Sequence, residues 1–330
     1  MRCTEAAAPL LGWRALIWAS AIAASSIWFA QAHAEEAPYW RLSTDRLTVV
    51  SNSSAKRCER LAASIIRFEQ ILFELTGWDP ELALTPLRFF SLTREDAKAV
   101  LLSDAERTRL ARERVLIHSK TLPGPESDVV AIMDIGGDEP LQSALFLHGQ
   151  GLMSAGPTRS YPAWFQLGVA SLLNGIVFKP DGTILLNRKL VFQAVSDRGE
   201  RSDSRFDLTR LLNAEPREFS PADFNEFEHL AREWAAFGLL TAPERGGQYR
   251  ELAVLMRQGA PLEEAMSEAF GASLAQVVAE FEAGGWRKDV NFRFAPPVIP
   301  ISVPTASPIE RSELAPLLQE IAERVQQQGS

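Results

Sequence analysis

The sequence predicts an α+β protein: a small β-sheet with intercalated helices, then an all-helical C-terminal half. Two observations carry this reading. Up to about residue 206, short β-branched or aromatic runs alternate with helical stripes. From residue 207 onward, helical segments follow one another, separated only by Gly or Pro.

The first half divides in order. "RLTVVS" (46–51) alternates like a strand. Residues 54–76 then place Cys58, Leu61, Ile65, Phe68, Leu72 and Leu75 on one helical stripe, with Gly77 as the stop. Cys58 lies in that stripe, so it reads as a buried, inert thiol. "PLRFFSLT" (86–93) is a second strand and "REDAKAVLLSD" (94–104) a short helix. Further strands are predicted at "RVLIHS" (114–119) and "DVVAIMDI" (128–135). The turn "GGDEP" opens the next helix, with Asp138 as N-cap and Pro140 in the first turn, where proline is tolerated. "IVFKPDGTILL" (176–186) is a hairpin around Pro180-Asp181-Gly182. Five helical segments span 207–285. Residues 296–308 hold five prolines and read as an extended linker, and a last amphipathic helix covers about 309–326. The predicted divisions are 1–34, 35–206, 207–295, 296–308 and 309–330.

Residues 1–34 read as a signal peptide. Arg2 and Arg14 give a positive start, "ALIWASAIAASSIWFA" an apolar core, and Ala32-His33-Ala34 a small-x-small cleavage site. The apolar run is shorter than the ~20 residues a bilayer span needs. A mature chain from Glu35 is therefore expected in the periplasm or outside the cell, with no stable membrane anchor. Cleavage removes two basic residues and one acidic one. The mature chain then carries 32 Lys+Arg and 41 Asp+Glu, against 34 and 42 in the full chain, a net charge of −9. Such a balance argues against nucleic acid or anionic lipid as partner. Cys58 is then the sole cysteine, so no intramolecular disulfide is possible.

The chemistry-bearing stretch is "ALFLHGQGLMSAG" (144–156), followed by "YPAWFQLGVASLLNG" (161–175). A zinc peptidase of the HExxH type needs two histidines one helical turn apart, a glutamate base after the first, and a third ligand on the next helix. The corresponding stretch here reads His148-Gly149-Gln150-Gly151-Leu152. "WFQLGVASLL" (164–173) has the shape of the "W-L-N-E-G-x-A-E" stretch that carries the third ligand: Trp164, Gly168 and Ala170 match, while Gln166, Leu167 and Ser171 replace the Asn and the two Glu. In order, spacing and these residues, the chain resembles bacterial exported proteins with a gluzincin-like domain of unknown function, over roughly residues 40–290. The resemblance implies a two-helix former active site in which position 148 would be a zinc ligand, 149 the base, and 152 and 167 the remaining ligands. Only His148 survives, so the resemblance implies a degenerate site with no catalytic residue, no metal and no cofactor. It also implies a cleft bordered by His148, Tyr161, Trp164 and Gln166 that could take a peptide or protein.

Plainer readings stand beside this one. His148 shares a helical face with Leu141, Leu145 and Leu152, as a core histidine with one satisfied hydrogen bond would. Aromatics at helical spacing are usually core. Gly149 and Gly151 each cost a helix roughly 1 kcal/mol relative to Ala, which points to close backbone packing or to a loosened helix. Of the other histidines, His118 follows a strand, and His229 with Glu233 one turn on could hold a metal weakly but reads more simply as a solvated helix face. No G-x-S-x-G elbow, phosphate loop or dinucleotide fingerprint is present. The functional expectation is a non-catalytic pseudopeptidase that binds or scaffolds a peptide or protein. The alternatives are a helical interaction module with a filled cleft and a terminal helix that does the binding, or a hydrolase using carboxylates the sequence does not single out.

Overall fold

In a computed structural model, the structure describes residues 39–77, 86–103, 106, 119–122, 127–134, 139–154, 161–179, 183–192, 207–214, 221–294 and 300–329. The chain is α+β, as the alternation of patterns predicts. Its centre is a six-stranded mixed sheet of β1 (Tyr39–Ser43), β2 (Leu47–Ser51), β3 (Leu87–Leu92), β4 (Ser119–Leu122), β5 (Asp128–Met133) and β9 (Ser307–Ile309), in the order β4-β5-β3-β2-β1-β9. The three middle strands, β2, β3 and β5, run parallel. β1 and β4 flank them antiparallel, and β9 pairs antiparallel with β1.

Strand alternation sends side chains to two faces, and each face has its own cover. Leu47, Val49, Phe89, Val130 and Ile132 join a core with helix α1 (Ala55–Thr76) and helix α3 (Glu139–Ser154). The α1 stripe is buried as its spacing predicts. Ser54 caps its start by accepting from the Arg57 N–H, and Gly77, at φ 68°, ends it in the left-handed region. Cys58 lies within this core, its thiol pushed up to about 12 by burial and by the charge of Glu59. The other face presents Val50, Phe90, Leu92, Val129, Ala131 and Met133 to α2 (Arg94–Val100) and to the terminal helix α11 (Arg311–Gly329).

That second face changes the reading of the C-terminus. Ser307–Ile309, across the end of the expected linker, adds a strand to the sheet edge, and α11 lays Leu314, Leu318, Ile321 and Val325 on the sheet. Arg88 pairs with Glu320 at 2.7 Å, and Arg311 with Asp96 at 2.9 Å. The terminal helix is therefore a structural cover. Its apolar stripe is occupied.

The helical half packs around α7 (Pro221–Leu240). Against or near it stand α4 (Ala163–Leu173), α5 (Arg188–Phe192), α6 (Leu208–Asn213), α8 (Pro243–Arg257), α9 (Leu262–Phe270), α10 (Leu274–Ala283) and a 3-10 turn, Gly285–Lys288. A small sheet of β6 (Ile176–Phe178), β7 (Ile184–Leu186) and β8 (Arg293–Phe294) closes one end. The predicted hairpin is present as β6 and β7, while its Pro180-Asp181-Gly182 turn lies outside the described residues, as do Asp138, Gly136, Gly137 and His118. β1 was not legible, because Tyr39–Ser43 buries only its first and fourth residues and does not alternate.

Candidate functional site

α3 carries His148 into the space facing α1. The imidazole is 5% exposed, and its Nε2 lies 2.9 Å from Oε1 of Glu69, near the middle of α1. A carboxylate only accepts, so Nε2 carries the proton and donates. The Phe68 ring stands beside the imidazole, with centroids 6.2 Å apart. His148 thus has the partner a buried histidine requires. That partner lies 79 residues upstream, and no local spacing pointed to it.

The two helical glycines separate. A Cβ on Gly149 would stand 3.0 Å from Phe68 Cζ, whereas one on Gly151 would meet nothing within 4 Å. Close packing accounts for Gly149, and a glutamate at that position would have to displace Phe68. Leu152 and Leu167, at the positions where the resemblance implies ligands, are 9% and 8% exposed and belong to the apolar core. One imidazole already bonded to a carboxylate, with two buried leucines where ligands would be needed, does not fit a zinc ion. Among the described residues no group of three or more His, Cys, Asp or Glu converges on a metal position.

The expected cleft border divides as well. Trp164 is fully buried, edge-on to Phe165, Trp234 and Tyr249, so it is a core residue and lines no cleft. Gln166 and Tyr161 remain partly exposed at the start of α4. Gln166 Nε2 donates to the Tyr161 carbonyl at 2.8 Å, and Tyr161 stacks on Phe165 under the Arg257 guanidinium. The partly exposed residue beside His148 that local pattern missed is Glu69 on α1; Ile66 and Phe73, about one turn to either side of Glu69, are partly exposed and pack against the core. Ile66 and Phe73 lie off the α1 core stripe, which is the one signal that could have marked them.

A second polar cluster occupies α7. Ser171 of α4 donates to Glu228 at 2.7 Å, and Arg232 Nη1 donates to Ser171 Oγ at 3.3 Å. Arg232 Nε reaches the Val191 carbonyl at the end of α5, and its Nη2 donates to His229 Nδ1 at 3.0 Å. His229 Nε2 lies 3.9 Å from Glu233, whose other oxygen accepts from Arg287 at 3.1 Å. Burial, followed by the charges of Arg232 and Arg287, pulls His229 down to about 4. Burial raises Glu233 against the pull of Arg287. The His229–Glu233 pair is therefore no solvated face, since Glu233 is buried and His229 partly so. Two guanidiniums beside it oppose a metal cation.

No family model matches the chain, and no curated protein matches it.

Proposed function

We propose that the mature chain is an exported, non-catalytic protein of gluzincin-like design that binds or scaffolds a peptide or protein. One observation carries the reading. The positions that would supply base and ligands are filled by a glycine packed on Phe68 and by two core leucines, and the surviving imidazole is tied to Glu69. A chain selected for hydrolysis at this place would not fill its ligand positions with core. Glu69 stays partly exposed on α1 with Ile66 and Phe73 about one turn to either side, one carboxylate among apolar groups, which suits a peptide side chain.

The test is zinc stoichiometry of the purified chain from residue 35, after zinc equilibration and desalting, alongside His148→Ala. Near-zero zinc in both is the expected result. About one zinc per chain, lost in His148→Ala, overturns the reading.

The His148–Glu69 pair also favours a second reading, a metal-free hydrolase in which Glu69 orients His148 as general base. That reading requires turnover that survives chelation and falls in Glu69→Gln by about 100-fold or more. Absence of turnover in the wild-type chain removes it.

A further inference from the structure

The α7 cluster has no role in the binding reading, yet it joins three helices and a turn through partly buried charges. We propose that His229, Arg232, Ser171 and Glu228 form an acid-operated latch, which holds α4 and the end of α5 on α7 through an imidazole that must stay neutral.

The geometry requires that neutrality. A guanidinium has donors and no acceptor, so the 3.0 Å contact from Arg232 exists only while His229 Nδ1 keeps its lone pair. The proton of the neutral ring then sits on Nε2, on the Glu233 side. Protonating Nδ1 would set one N–H against another and one cation against a second. The same Arg232 side chain holds Ser171 and the Val191 carbonyl, so losing its seat loosens contacts to both α4 and α5. The charged groups facing the imidazole among the described residues are Arg232 and Glu233 from α7 and Arg287 from the 3-10 turn; Glu228 from α7, Ser171 from α4 and the Val191 carbonyl from α5 are the groups that meet Arg232.

The sign follows from the two states of His229. The latched ring takes a proton only near 4, while a released ring takes it near 6.5. Release is therefore coupled to proton uptake as pH falls from 6.5 towards 4, by about tenfold in the closed/open constant for each pH step of one. Glu233, raised in the closed state, acts in the opposite direction and offsets part of this. What the latch guards is the α4–α7 contact. Gly168 of α4 lies so close to α7 that a Cβ there would stand 2.5 Å from the Ala231 carbonyl oxygen, and Trp164 and Phe165 of α4 pack with Trp234 and Tyr249 behind it.

Two measurements on the full mature chain test this. Histidine NMR, with His229→Asn for assignment, should find the His229 imidazole titrating near 4. Hydrogen exchange, corrected for intrinsic rates, should show protection across α4 and α7 falling by up to about 100-fold between roughly pH 6.5 and 4.5, while β2 and β3 keep theirs. In His229→Asn, whose side-chain oxygen replaces the Nδ1 acceptor and takes up no proton, that fall should shrink at least about tenfold. Titration of His229 near 6.5, or an unchanged acid response in His229→Asn, overturns the latch. Should the variant not fold, the wild-type midpoint and exchange profile decide the question between them.

Discussion

Glu69 and His148 show how much one partner changes the meaning of a residue. An almost fully buried imidazole without a partner would cost the fold a few kcal/mol, and Glu69 supplies that partner from another helix. Replacing Glu69 with Ala should therefore lower stability by about 1–3 kcal/mol in urea unfolding, with little effect on the m-value. The two glycines that follow respond differently. Gly151→Ala adds a methyl into open space at a helical position and should stabilise by up to about 1 kcal/mol. Gly149→Ala must first push back Phe68, so its thermal midpoint should fall below that of Gly151→Ala. A midpoint for Gly149→Ala equal to or above it would show that Phe68 does not pack there as described.

At the scale of elements, close backbone approach decides where helices cross. Added Cβ atoms would meet the Ala231 carbonyl at Gly168 and the body of the Tyr249 ring at Gly238, and neither obstacle is the loose end of a side chain. Gly168→Ala and Gly238→Ala should each destabilise by about 1–3 kcal/mol or more, read as a lower denaturation midpoint. Helix ends behave more predictably. Ser273 and Gln276 form a capping box at the start of α10, and Ser273→Ala should cost about 1 kcal/mol. At the chain end, β9 and α11 cover one sheet face and hold it with the Arg88–Glu320 and Arg311–Asp96 pairs. A chain ending at residue 295 should bind an apolar dye strongly and melt well below the full chain, because Phe90, Leu92 and Met133 lose their cover. An unchanged melting point would return the terminal helix to a binding role.

For the whole molecule, titrating groups set how stability depends on pH. His229 is held below its ordinary 6.5, at about 4, so the unfolded chain takes up its proton first. Its contribution is complete above 6.5 and is lost as pH falls towards 4. Burial alone would raise Asp96, but hydrogen bonds from Arg311, Tyr39 and Thr93 overcome it and hold Asp96 below its ordinary 3.8. Glu106 is likewise held below 4.5 by Lys120 and Ser103 despite its burial. These carboxylates withdraw their contributions only at lower pH still, while Glu233, raised by burial, works the other way. Urea unfolding should therefore show a plateau of stability from about pH 6.5 up to the ordinary thiol value of 9.0, and a decline on acidification of at most about 1.4 kcal/mol per pH step from His229. Stability that stays flat from pH 7 to 4 would contradict this.

Local pattern by itself determined the class of the fold, the length and inward face of α1, the stop of that helix, the hairpin strands and the order of the helical half. Each depends on residues a few positions apart, where periodicity and turn chemistry act. It also located His148 among residues that lack the base and the further ligands of an HExxH site. Tertiary structure alone decided what those residues do instead. Glu69 meets His148 from a distant helix, Trp164 goes to the core, the His229 face closes around Arg232 and Arg287, and the supposed tether becomes a strand and a cover for the sheet. All four outcomes depend on which surfaces meet after the chain has folded back on itself, and that pairing leaves no trace in the spacing of neighbouring residues.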